Sequence, residues 1–151
     1  MQKSSSYLTQ KFTVGIIVSC KNVNIKLKTS GLKNYIIKGI SNRIEQIIAN
    51  LLDNAVSFSP ANSKITVSCG VKKQDAQLII EDEGPGFNEK NIDKIFNRFY
   101  SNRPEKFGEH SGLGLNIVKN IIELHGGSIT ASNHLGSKKG ARIEVLLPIY
   151  L

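Results

Sequence analysis

Tryptophan is absent from the 151 residues, methionine occurs once and cysteine twice. Cys20 and Cys69 lie far apart and form no CxxC, so neither a disulfide framework nor a zinc site is implied, and buried, reduced thiols are the plain reading. No apolar run approaches the roughly 18 residues that cross a bilayer. The opening Met1-Gln2-Lys3-Ser4-Ser5-Ser6 lacks the apolar stretch of a secretion signal. A soluble, cytoplasmic chain with no direct membrane insertion is therefore expected. Internal repeats and Pro-rich linkers are also missing, and with 40% apolar residues the chain suits one domain over residues 1–151.

Acidic residues are missing from the first third. Residues 1–44 hold eight basic and no acidic side chains, whereas residues 45–151 hold twelve of each, so the net charge of +8 arises entirely from the start of the chain. There it is spread over Lys3, Lys11, Lys21, Lys26, Lys28, Lys33, Lys38 and Arg43, interleaved with apolar residues. Sixteen lysines against four arginines fit a solvated surface, and no nucleic-acid partner is expected.

Short apolar runs at Val14–Val18 and Tyr35–Ile37 suit strands. From Ile44 the period changes: Ile44, Ile47, Ile48, Leu51, Leu52 and Ala55 form one face of a helix, with Asn42 and Glu45 as a start signal and Ser59-Pro60 as its end. Strands are expected at Lys64–Cys69, Gln77–Asp82, Ser128–Ser132 and Ala141–Leu147. Helices are expected at Glu89–Phe96 and from about Gly114 to Leu124, the latter stopped by Gly126-Gly127. This order indicates an α/β arrangement, helices layered on one face of a mixed sheet.

Four segments carry chemistry. Asn50 and Asn54, four apart on the first long helix, project together at the border of its apolar stripe; amide oxygens suit Mg²⁺, although paired asparagines are more often simply solvated. Asp82-Glu83-Gly84-Pro85-Gly86-Phe87 follows an apolar strand; its aspartate can accept from a purine amino group, yet the same pattern describes ordinary turns. Ser111-Gly112-Leu113-Gly114-Leu115 runs into an apolar helix, whose first N–H groups suit phosphate oxygens. It is neither a Walker A loop nor a dinucleotide-binding turn. Between these lies Phe96-Asn97-Arg98-Phe99, followed by a polar stretch through Arg103 and Lys106; its two aromatics are read as core residues anchoring a mobile lid.

In this order the segments resemble the N, G1, F and G2 boxes of the histidine-kinase ATP-binding domain, within the gyrase, Hsp90 and MutL superfamily, over about residues 40–148. Each is weak alone, but their collinearity is specific. The resemblance implies the Bergerat fold, a two-layer α+β sandwich whose mixed, mainly antiparallel sheet is covered on one face by about three helices. It implies ATP and Mg²⁺, with Asn54 as metal ligand, Asn50 beside it near the phosphates, and Asp82 reading adenine. By the same resemblance Gly84 and Gly86 match the loop under the base and Gly112 and Gly114 the hinge of the lid, with Phe87, Ser111, Leu113 and Leu115 among the nucleotide-binding residues. Arg98 resembles a basic residue that reaches the phosphates, and Arg103 or Lys106 can supply a further contact there.

The function implied is γ-phosphoryl transfer to a histidine on a separate dimerisation domain, with a response regulator downstream. His110, His125 and His134 are not followed by an acidic residue, as acceptor histidines typically are, so this chain resembles the catalytic part of a larger receptor, whose parent can sit in a membrane. Gyrase-like and Hsp90-like relatives place a glutamate where Asn50 stands, and an amide cannot act as a general base. Many family members carry Lys where Ser57 stands, and Glu109-His110 replaces a familiar glycine pair. These departures keep a non-catalytic nucleotide-binding or partner-binding fragment as the alternative.

Overall fold

Helix α1, Ser41–Phe58, is set by its apolar face: Ile44, Ile47, Leu51, Leu52, Ala55 and Phe58 are all buried, and Ile48 packs at their edge. The computed structural model describes residues 7–8, 24–29, 36–100, 113–134 and 139–150. The Val14–Val18 run lies outside them. The start signal at Asn42 is not used. The residue before the helix is Ile40, which offers no side-chain cap, and Glu45 instead faces Ser41 Oγ at 3.4 Å. Docking of the apolar face outweighs a missing cap, which costs only about 1 kcal/mol. At the other end Ser59 closes the helix, its N–H and Oγ both donating to Ala55 O.

Among the described residues seven strands form the sheet: β1 Tyr7–Leu8, β2 Asn24–Thr29, β3 Ile36–Lys38, β4 Lys64–Lys72, β5 Asp75–Glu81, β6 Ser128–Asn133 and β7 Ala141–Tyr150. Their order is β1-β3-β7-β5-β4-β2, with β6 also paired to β7. Only β2 with β4 is parallel among the described pairs, so the sheet is mixed and mainly antiparallel. Strand β7 is central: it pairs with β5 along one edge, and with β6 and then β3 along the other. Ile143, Val145 and Leu147 on β7 enter the core with Ile65, Val67 and Ile80 from β4 and β5.

Helix α2, Gly114–Leu124, packs on the same face beside α1 through Val118, Ile121 and Ile122. The segment Glu89–Phe96 is helical as expected, but of the tighter 3₁₀ kind, and buries Ile95 and Phe96. Its mate in the sequence pattern behaves differently: Phe99 is 71% exposed and takes a positive φ of 60°, so Phe96 alone is core. The helix ends at Phe96, and the i, i+3 relation no longer places the two rings on one face.

The opposite sheet face carries a charged cluster. Glu144, next to the core residues Ile143 and Val145 on β7, points away from them and accepts from Lys72 Nζ at 2.9 Å, Gln77 Nε2 at 2.6 Å and Arg142 Nη1 at 3.1 Å. The Lys72 contact, opposed by burial and reinforced by Gln77 and Arg142, pulls its carboxyl down to about 2 from an ordinary 4.5. A depressed folded-state value contributes stability above pH 4.5 that fades as the pH falls toward 2. With Lys72 half exposed, the effect is on the order of 1–2 kcal/mol. Chemical denaturation across that window should show this acid loss in the wild type and a flatter profile in Glu144→Gln. Cys69, partly buried on β4, has its thiol pushed up by burial, which disfavours the reactive thiolate.

Candidate functional site

A cleft of about 370 Å³ opens between α1 and the start of α2. Its polar wall is the exposed shoulder of α1, where Gln46, Asn50, Asp53 and Asn54 share one face at helical spacing. Its other walls are Ile95 and Tyr100 from the 3₁₀ segment and its exit, and Leu113, Gly114, Leu115 and Ile117 from the N-terminus of α2. Of the expected site residues, the fold thus brings together Asn50, Asn54, Leu113, Gly114 and Leu115. Arg103, Lys106, Ser111 and Gly112, and with them most of the expected lid, lie outside the described residues.

Among the described residues no side chain caps the start of α2 and no acidic residue occupies its first turn. A Cβ built on Gly114 would meet nothing within 4 Å among those residues, so internal packing does not demand glycine there.

The Asp82–Phe87 loop lies further along α1 and is not part of the cleft lining. Asp82 is 3% exposed, and its Oδ1 accepts from Gly84 N at 2.9 Å and Ala141 N at 3.2 Å, which fixes the carboxylate. The glycines here answer to protein contacts. A Cβ on Gly84 would run into the carbonyl oxygen of Phe58, one turn after Asn54, and Gly86 adopts φ +75° against the Asn133 side chain. Phe87 is buried in the core. Arg98 is exposed with its guanidinium 5.7 Å from the Phe99 ring, and it does not line the cleft.

Two residues that were not among the expected site residues hold this loop. Asn133 clamps Phe87 with both arms of its amide, Oδ1 accepting from Phe87 N at 2.7 Å and Nδ2 donating to Phe87 O at 2.8 Å. His134 Nε2 donates to Asp82 O at 3.1 Å. His125 is also structural. Its Nδ1 donates to Ile121 O at 2.7 Å and its Nε2 accepts from Ile40 N at 3.2 Å, tying the end of α2 to the start of α1. Asn116 Nδ2 donates to Phe96 O at 2.9 Å and joins α2 to the 3₁₀ segment. Gln46, Asp53 and Tyr100 were likewise not among the expected site residues; for the first two, spacing of four and three residues around Asn50 was the available signal.

Among the described residues, helices lie on one face of a mixed sheet and an amide-lined cleft meets a helix start that none of their side chains caps. The family model for histidine kinase-, DNA gyrase B-, and HSP90-like ATPases matches residues 39–151, and the chain belongs to that family. The sensor protein ChvG of Agrobacterium fabrum is 42% identical over 127 residues, 80% of this chain and 21% of that protein. The sensor histidine kinase WalK of Bacillus subtilis is 38% identical over 111 residues, covering 70% and 18%. Among solved structures, the mycobacterial sensor histidine kinase MprB aligns with a TM-score of 0.73 at 27% identity, covering 85% of this chain and 83% of that one. The catalytic domain of the histidine kinase ThkA aligns at 0.71 and 26%, covering 84% and 80%. The domain is homologous to the ATP-binding catalytic part of two-component sensor kinases and has their Bergerat fold. The chain spans about a fifth of the length of the curated relatives it matches.

Proposed function

We propose that this single domain positions Mg·ATP for transfer of the γ-phosphoryl group to a histidine on a separate dimerisation and phosphoacceptor domain, from which a response regulator takes it. The observation that carries this reading is the cleft itself, where Asn50 and Asn54 face the start of α2 across a gap the size of a small ligand. The α2 N–H groups and the space at Gly114 suit phosphates. Asp82, oriented by two backbone donors, suits an adenine amino group. The amide carbonyls of Asn54 and Asn50 are the donor type that Mg²⁺ accepts alongside phosphate oxygens, and when bound it supplies charge neutralisation at the phosphates.

Catalysis by the chain is positioning and electrostatics. The cleft holds the nucleotide while the acceptor imidazole nitrogen forms the new N–P bond, the P–O bond to ADP breaks, and the imidazole proton departs from the acceptor side. Arg98, with Arg103, Lys106, Ser111 and Gly112, is assigned to the phosphate end. Gly84, Gly86 and Phe87 are assigned to supporting the base. Dependence on ATP assigns the domain to the cytoplasm, and among the described residues no helix is long and apolar enough to cross a membrane.

The direct test is incubation with γ-labelled ATP and an isolated acceptor domain from a sensor kinase, which should become labelled on histidine; an acceptor that stays unlabelled while its own kinase labels it would overturn the transfer. Calorimetric titration should show tighter binding of ATP than GTP, and Asp82→Asn should lose about 1–3 kcal/mol of binding free energy. Equal affinity for GTP would remove the adenine assignment.

A further inference from the structure

Two consecutive residues grip the two ends of the Asp82–Phe87 loop. Asn133, the last residue of β6, clamps Phe87, and His134 reaches Asp82 at the point where β5 gives way to the loop. The fit at Asp82 is close. His134 N donates to Gly140 O at 3.0 Å, and a Cβ on Gly140, whose φ is +157°, would collide with both Asp82 O and the His134 ring. Glycine is what lets imidazole and carbonyl meet over that backbone.

Both ring nitrogens of His134 face oxygen. Nε2 lies 3.1 Å from Asp82 O and Nδ1 lies 3.6 Å from Glu81 Oε1, yet a neutral imidazole carries one N–H and can satisfy only one of them. The protonated ring donates toward both. Among the described residues, the other charged groups around it are Arg142, whose Nε is 3.7 Å from the same Glu81 oxygen and whose Nη1 is held by Glu144, and the Asp82 carboxylate, fixed by Gly84 N and Ala141 N. The His134 side chain is 24% exposed, so its proton exchanges with solvent.

We propose that His134 is a positioning residue for the base-reading Asp82: its imidazolium, braced by Glu81, holds the Asp82 carbonyl and with it the backbone from which the carboxylate projects. This rests on the reading of Asp82 as the adenine contact. Backbone donors fix the carboxylate, and His134 fixes the backbone. A charge-assisted hydrogen bond is stronger than a neutral one, so nucleotide affinity is greatest while His134 carries its second proton and declines as rising pH removes it.

The test is calorimetric titration of the whole chain with Mg·ADP at about pH 8 and about pH 6, the range in which an imidazole changes charge. Each variant is compared with wild type at the same pH, so that titration of the ligand and of the other histidines cancels. His134→Ala should bind about fivefold more weakly than wild type at the lower pH. His134→Gln keeps a neutral donor that can reach Asp82 O, so it should match wild type at the higher pH and fall about threefold behind it at the lower. Glu81→Gln, which removes the carboxylate facing Nδ1, should lose the same pH-dependent part. Thermal melting checks folding, and where His134→Ala melts early the Gln comparison carries the test. A wild-type to His134→Gln ratio that is the same at both pH values overturns the inference, as does a folded His134→Ala with wild-type affinity. Asp82→Asn that binds Mg·ADP undiminished would instead overturn the base-reading role on which the inference stands.

Discussion

Replacing Asn54 with Asp is expected to lower phosphoryl transfer to an acceptor domain by about a hundredfold or more, while the melting temperature stays near that of the wild type. Asn54 is half-buried on the cleft side of α1, so a side chain of the same shape fits without disturbing Leu51, Leu52 or Ala55 beneath it. The substitution exchanges a neutral amide, with a carbonyl oxygen and two N–H donors, for an acceptor-only carboxylate. It also places a second carboxylate next to Asp53 where phosphate charge must accumulate. The folding cost is small, because the side chain remains solvated and sits within a turn of the negative end of the helix dipole, worth a few tenths of a kcal/mol. Transfer at the wild-type rate by a well-folded variant would remove Asn54 from the site.

The second large effect separates two glycines. Gly84→Ala should destabilise the domain by about 1–3 kcal/mol and weaken ATP binding, because the new methyl meets the Phe58 carbonyl oxygen and lies 2.9 Å from Asp82 Oδ1. The backbone oxygen can move only if the end of α1 moves with it, and relief would carry Asp82 out of the position fixed by Gly84 N and Ala141 N. Gly114→Ala should do the reverse to stability. It meets open space and replaces glycine at a helix start, so melting should hold or rise slightly, while the methyl occupies room that phosphate oxygens need. Thermal melts with parallel ATP titrations distinguish the cases: two variants that lose stability and binding together would indicate a general packing defect.

Much of this architecture was legible in local pattern. The buried face of α1 follows the 3.6-residue period of its isoleucines and leucines, and α2 runs between its glycines as expected. β4 and β5 were visible as apolar runs, though β4 runs on to Lys72 and β5 begins earlier, at Asp75, and stops at Glu81. What local pattern lacked was pairing at a distance. Nothing around Asn24–Thr29 states that it runs parallel to β4, and a strand as short as Tyr7–Leu8 carries no period. The same holds at the site. Asn50 and Asn54 were visible because they share one helix, whereas Asn133 and His134 grip a loop 46 and 52 residues away and announce it by no local spacing.

The central place of β7 has a consequence for synthesis. Strands β3, β5 and β6 are all made before it, yet each relies on residues 141–150 as its neighbour. During translation these strands emerge with unpaired edges, and α1 and α2 emerge with apolar faces that have only part of a sheet to dock on. The adhesive surfaces of the nascent domain are therefore exposed together until β7 leaves the ribosome, and that interval is when a chaperone has most to protect.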